Sequence, residues 1–181
     1  GVAGFRAPVS FYNAFRGAPD LLALLNEAGY AYSSSFGWGP HDSLPLVPGE
    51  SFTYAEDGFP DLWEVPPCGW HENLLKGNNK WEPRPLQLYP HPMPEAALTD
   101  FVRTPQEEFA VHRLFVDRAV REKLGHVSLI WHPWSLHAFD PEMKMLELVF
   151  SYVRDRRLPA ATFADYVCTL KGGPNRSRTA P

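Results

Sequence analysis

Val127-Ser128-Leu129-Ile130-Trp131-His132-Pro133-Trp134-Ser135-Leu136 opens as a short apolar run and closes on a histidine, a proline and a tryptophan. A continuous apolar segment without alternation is the pattern of a buried strand in an α/β protein. Proline cannot donate to a sheet ladder, so the strand is predicted to stop near His132. The carboxyl end of a parallel strand is where α/β folds place their chemistry. A histidine packed between Trp131 and Trp134 is the plainer alternative.

The chain around this stretch has 181 residues, 44% of them hydrophobic and 21% charged, which suits one packed domain rather than a disordered segment. The net charge of −4 argues against a nucleic-acid binder that works by neutralising phosphates. Cys68 and Cys168 lie far apart and match no redox or metal spacing. No apolar run reaches the roughly 20 residues of a membrane helix. The compartment stays open, with the cytoplasm as the working expectation. The chain begins at Gly1 on what reads as a strand end, so a truncated or processed chain is expected. An open sheet edge there would be a pairing surface, so a homo-oligomer or a missing amino-terminal segment is expected as its cover.

Pro19, Asp20 and the leucines 21, 22, 24 and 25 predict a helix closed by Gly29. Tyr30 to Ser35 reads as a strand. Gly37 to Asp61 reads as a loop with short strand pieces, and Leu62 to Val65 as a strand stopped by Pro66 and Pro67. Cys68 to Leu98 is a long proline-laden loop with Trp70, Trp81 and Tyr89; loops of this length are usually functional. Thr104-Pro105-Gln106-Glu107 is a capping box, with a helix predicted to Leu124 and a stop at Gly125. Asp140-Pro141 predicts the start of another helix, Leu158 to Ala161 a last strand, and Thr162 with Asp165 a final helix to Lys171. Residues 173–181 read as a disordered tail. Helix–strand alternation over residues 1–172 predicts an α/β fold of parallel strands with crossover helices.

Gly4-Phe5-Arg6-Ala7-Pro8, a helix, and then Glu27-Ala28-Gly29-Tyr30-Ala31-Tyr32-Ser33-Ser34-Ser35 together resemble the third motif region of NodB-type polysaccharide deacetylases. Leu62-Trp63-Glu64-Val65-Pro66 is similar to the family's Trp-Glu-Ile/Val-Pro strand, and Leu129-Ile130-Trp131-His132 to its last motif, Leu-x-x-His. The resemblance spans Gly4 to Val167. It implies the carboxyl-terminal portion of a distorted (β/α)7 barrel, here a partial one, and a metal-dependent hydrolase of C–N amide bonds. It further implies a divalent metal, zinc by preference, whose ligands lie in upstream motifs. Those motifs, Thr-Phe-Asp-Asp and His-x-x-x-His, do not occur in this sequence, nor does the family's Asp-x-x-Asp-Trp.

Amide hydrolysis needs an activated water, a stabilised oxyanion and a proton for the leaving amine. Histidine suits the last task, so His132 is the candidate proton donor. Its carboxylate partner is expected to be Glu64, with Asp140 second. The resemblance implies that Arg6 pairs with a catalytic aspartate upstream, that Pro8 belongs to the same substrate-side motif, and that Leu129 lines a pocket for an acetyl methyl. Trp63, Trp131 and Trp134 offer flat faces to a sugar ring or stand as core residues. Cys68 and His71, with His132 and His137, are a weak alternative zinc set. His112 is expected to be structural or exposed, and His41, His71 and His91 solvated. Arg6 and His132 are expected to converge at one mouth of a shared parallel sheet. The substrate is expected to be an N-acetylated carbohydrate; a small cyclic amide of the allantoin kind and a non-catalytic carbohydrate-binding or scaffold module are the rivals.

Overall fold

The computed structural model describes residues 2–8, 11–37, 45–77, 93, 95, 98, 100–174 and 178–179. In chain order these form β1 (Gly4–Phe5), α1 (Pro19–Glu27), β2 (Tyr32–Ser33), β3 (Phe52–Tyr54), a 3-10 turn (Ala55–Asp57), β4 (Phe59–Glu64), α2 (Glu72–Leu75), α3 (Pro105–Glu122), α4 (Pro133–Phe139), α5 (Lys144–Asp155), β5 (Pro159–Ala160), α6 (Phe163–Leu170) and β6 (Arg178–Thr179). The chain divides into two compact units. Residues 1–37, 50–67 and 153–181 form the first, and residues 38–49 and 68–152 the second. Trp81, Tyr89, His41 and His91 lie outside the described residues.

The first unit is built on a four-stranded sheet of order β1-β2-β4-β3. The expected parallel pairing holds for β1, β2 and β4, while β3 runs antiparallel to β4 across an irregularity between Thr53 and Tyr54. The sheet is therefore mixed, and no barrel closure is seen among the described residues. In-register neighbours on adjacent strands share a face. Phe5, Ser33, Glu64 and Phe52 make one such row, and Gly4, Tyr32, Trp63 and Thr53 the next. Ala7, Ala14, Phe15, Leu22, Leu25, Tyr54 and Leu62 make the core, with Phe5 and Tyr30 packed against it. Gly4 has no room for a side chain, because the Tyr32 ring occupies the space a Cβ would need. The expected last strand is present as β5, but it pairs antiparallel with β6 in a separate two-stranded sheet. Part of the expected disordered tail, Arg178–Thr179, is thus ordered by strand pairing.

The second unit is helical among its described residues. Thr104 caps α3 as its sequence predicts: its hydroxyl accepts the Glu107 N–H at 3.2 Å. Glu108, Val111, His112, Phe115, Val116 and Ala119 are buried at the three- and four-residue spacing of one helix face. The expected strand at Val127–Trp131 does not form. The segment joins no sheet, Val127 is exposed, and the carbonyl of Ser128 accepts the Cys68 N–H at 2.8 Å. Pro133 explains the difference. Its fixed φ and missing N–H suit the first position of a helix as well as they end a strand, and α4 starts there with His132 as the preceding cap residue. The carbonyl of His132 accepts the N–H groups of Ser135 and Leu136, both at 3.0 Å. The helix expected from Asp140 begins instead at Lys144, and the buried Asp140 carboxylate accepts the Met145 N–H at 2.8 Å.

Four helices close in the same way. The residue just past the helix is left-handed, and the N–H after it returns to the carbonyl five residues back. Gly29 and Gly172 take that position at α1 and α6, with φ of 78° and 80°. The bonds are Tyr30 N–H to Leu25 at 3.1 Å and Gly173 N–H to Cys168 at 2.8 Å. At α3 and α5 the position is held by Lys123 and Arg157, with φ of 57° and 53°. The stop expected at Gly125 therefore falls two residues earlier. A side chain in this conformation costs about 1–2 kcal/mol, and glycine returns part of that as chain entropy. Lys123→Gly and Arg157→Gly are each expected to raise unfolding stability by about 0.5–1 kcal/mol, and Gly29→Ala to lower it by about 1 kcal/mol, read by urea denaturation.

Candidate functional site

Glu64, the first unit's candidate, ends β4 with 0% exposure. Strand register sets Ser33 beside it on the same face, and the Ser33 hydroxyl bonds its Oε2. The Tyr54 hydroxyl donates to the same oxygen at 2.8 Å, and the N–H groups of Ser35 and Phe36 donate to Oε1 at 2.7 and 2.8 Å. Burial, with Glu64 beside it, raises the Tyr54 phenol far above its ordinary range, so it remains a donor. Arg6 donates to the Ser34 hydroxyl at 2.7 Å, and Ser34 donates to the Val65 carbonyl at 2.6 Å. Lost solvent lowers the Arg6 pKa from its usual 12.5, with Glu64 and Tyr32 opposing, and leaves a cation at neutral pH. Pro8 is exposed and Trp63 half-buried.

In the second unit His132 faces a different carboxylate from the two expected. Glu72, at the start of α2, accepts the backbone N–H of His132 at 2.8 Å through Oε1, and the same oxygen meets the ring Nδ1. Two bonds to one oxygen fix both the main chain and the ring. Glu64 is fully engaged within the first unit, and Asp140 holds the start of α5. Nor does His132 end a strand of the sheet that carries Arg6, as the shared-sheet expectation required; it sits at the cap of α4.

The His132 side chain is 47% exposed, whereas Glu72 is 1% exposed, so the ring is open on one side and anchored on the other. His71 and Trp134 flank it, with ring centroids 6.2 and 5.4 Å away. Trp134 is 60% exposed, a flat apolar face beside the imidazole. Trp131 turns the other way: its indole N–H donates to His112 Nε2 at 3.1 Å, in an edge-on contact 5.4 Å between centroids. Leu129 is half-buried and packs at Gly69.

Behind Glu72 lies a group that the sequence pattern did not single out. Lys76, one helical turn on, sits 3.8 Å from Glu72 Oε2 and 3.0 Å from Glu108 Oε1, and His112 Nε2 lies 3.6 Å from the same Glu108 oxygen. His112 is buried, on the structural side of what was expected. The available signal was Glu108 and His112 themselves, two polar residues on the apolar stripe of α3. Such breaks in a core pattern mark functional or strained sites.

Of the alternative zinc set, Cys68 is buried, and that burial pushes its pKa up to about 12. Among the described residues no group of three or more His, Cys, Asp or Glu could hold a metal ion.

His71 is exposed as a residue, yet its ring loses part of its solvent. That lost solvent lowers its pKa from the usual 6.5, Glu72 opposing and His132 assisting. A depressed imidazole pKa means the unfolded chain binds the proton first. Stability is therefore expected to fall as pH drops below 6.5, and His71→Gln to flatten that slope, measured by urea unfolding across the range. No family model, no curated protein and no solved structure matches this chain.

Proposed function

We propose that this chain supplies the proton-donating part of a hydrolase that splits C–N amide bonds, most simply by N-deacetylating an amino sugar in a polysaccharide. The observation that carries it is the His132–Glu72 pair. An imidazole open to solvent on one face, with its other ring nitrogen held by a buried carboxylate, has the geometry of a general acid. As the C–N bond of the tetrahedral intermediate breaks, the leaving nitrogen needs a proton, and the free Nε2 edge of His132 can deliver it. Glu72 keeps the ring in one orientation and offsets its charge. The exposed Trp134 offers the flat surface that sugar rings stack on.

The resemblance to NodB-type deacetylases supports this assignment and adds the partial (β/α) barrel, the divalent metal and the roles of Arg6, Pro8 and Leu129. A metal in such enzymes activates water and steadies the oxyanion. The described residues do not make a centre for one, and proton delivery by His132 is derived without it. A small cyclic amide remains the alternative substrate.

Trp134 also favours a second reading, a carbohydrate-binding module without catalysis, because its exposed ring needs no chemistry to hold a sugar. One experiment separates them. The intact protein, supplied with zinc, is incubated with N-acetylated amino-sugar oligomers and, separately, with a cyclic ureide, and released amine is counted. His132→Ala is expected to lower kcat by about 10²–10⁴-fold with little change in KM, and Trp134→Ala to raise KM. Unchanged turnover in His132→Ala removes the acid role. Saturable sugar binding without turnover, lost in Trp134→Ala, selects the binding module.

A further inference from the structure

We propose that Lys76 and Glu108 are positioning residues that act on His132 through Glu72. The catalytic consequence rests on the hydrolase assignment above; the coupling itself does not.

The Lys76 side chain is fully buried, with its ammonium 3.0 Å from Glu108 Oε1, 3.8 Å from Glu72 Oε2 and 5.0 Å from the centre of the Phe139 ring. Neither Glu72 Oε2 nor either oxygen of Glu108 has a hydrogen-bond donor among the described residues. The two carboxylates therefore lean on one ammonium. His112 does not share the task. An indole N–H can only donate, so Trp131 makes His112 Nε2 an acceptor, and the nitrogen nearest Glu108 brings it no proton.

The row of contacts then runs in one direction. Glu108, on the buried face of α3, holds Lys76, and Lys76 holds the inner oxygen of Glu72. The outer oxygen of Glu72 holds the backbone and ring of His132. Without the ammonium, two carboxylates share a dry space, and Glu72 must turn away or take up a proton. Either response releases the imidazole. Removing one negative charge together with the ammonium restores the original net charge and leaves Glu72 free to hold His132.

The test compares Lys76→Met, Glu108→Gln and the double variant in the intact protein. Lys76→Met is expected to abolish the downfield proton NMR resonance of the His132 ring N–H bound to Glu72. It is also expected to lower kcat about tenfold at constant KM. Lys76→Met/Glu108→Gln is expected to regain the resonance and most of kcat. A Lys76→Met protein that keeps the resonance overturns the proposal, as does a folded double variant that lacks it. Should Lys76→Met fail to fold, the double variant decides alone. Should no amide substrate be turned over by the wild type, the hydrolase assignment falls while the resonance still judges the coupling.

Discussion

A carboxylate taken out of water costs several kcal/mol unless donors or a cation replace the water, and among the described residues three glutamates make that demand. Glu64 meets it with neutral donors, two hydroxyls and two backbone N–H groups. Glu72 and Glu108 meet it with charge, sharing one buried lysine. Each solution organises what lies around it. The first ties β2, β4 and the turn after β2 to a single side chain. The second ties α2, α3 and the cap of α4 into one polar core.

The two arrangements differ in what they leave over. Every oxygen of Glu64 is satisfied inside the first unit, which suits a structural role: hydrogen bonds to a charged group contribute about 1.5–3 kcal/mol each, and losing one strands a buried anion. Glu72 keeps one oxygen facing a half-exposed imidazole, so its interaction energy reaches the surface. His71 and Trp134 beside it complete a surface with an imidazole at its centre and a flat apolar face at its edge.

Helix caps show how far local chemistry reaches. Thr104 with Glu107, Thr162 with Asp165, and Gly29 and Gly172 close or open helices where local rules place them. Lys123 and Arg157 do the same job in a backbone conformation that glycine takes more cheaply. Pro133 is the instructive failure of a local rule. One residue carries two meanings, strand end and helix start, and nothing within a few residues of it chooses between them.

Much of the framework was legible in the sequence by itself: α1, α3 and α6 with their caps, and the strand read at Leu62–Val65, which runs instead over Phe59–Glu64 and so takes in the end of the stretch read as a loop. These depend on neighbours three or four positions away, which a sequence displays. Only the tertiary structure decided that Val127–Trp131 joins no sheet, that β3 enters the sheet antiparallel, and that Glu72 rather than Glu64 or Asp140 holds His132. Glu72 stands 60 residues from its histidine, and Lys76 stands 32 from Glu108. Such pairs are set by which faces the packed helices bury together, and no local spacing encodes that.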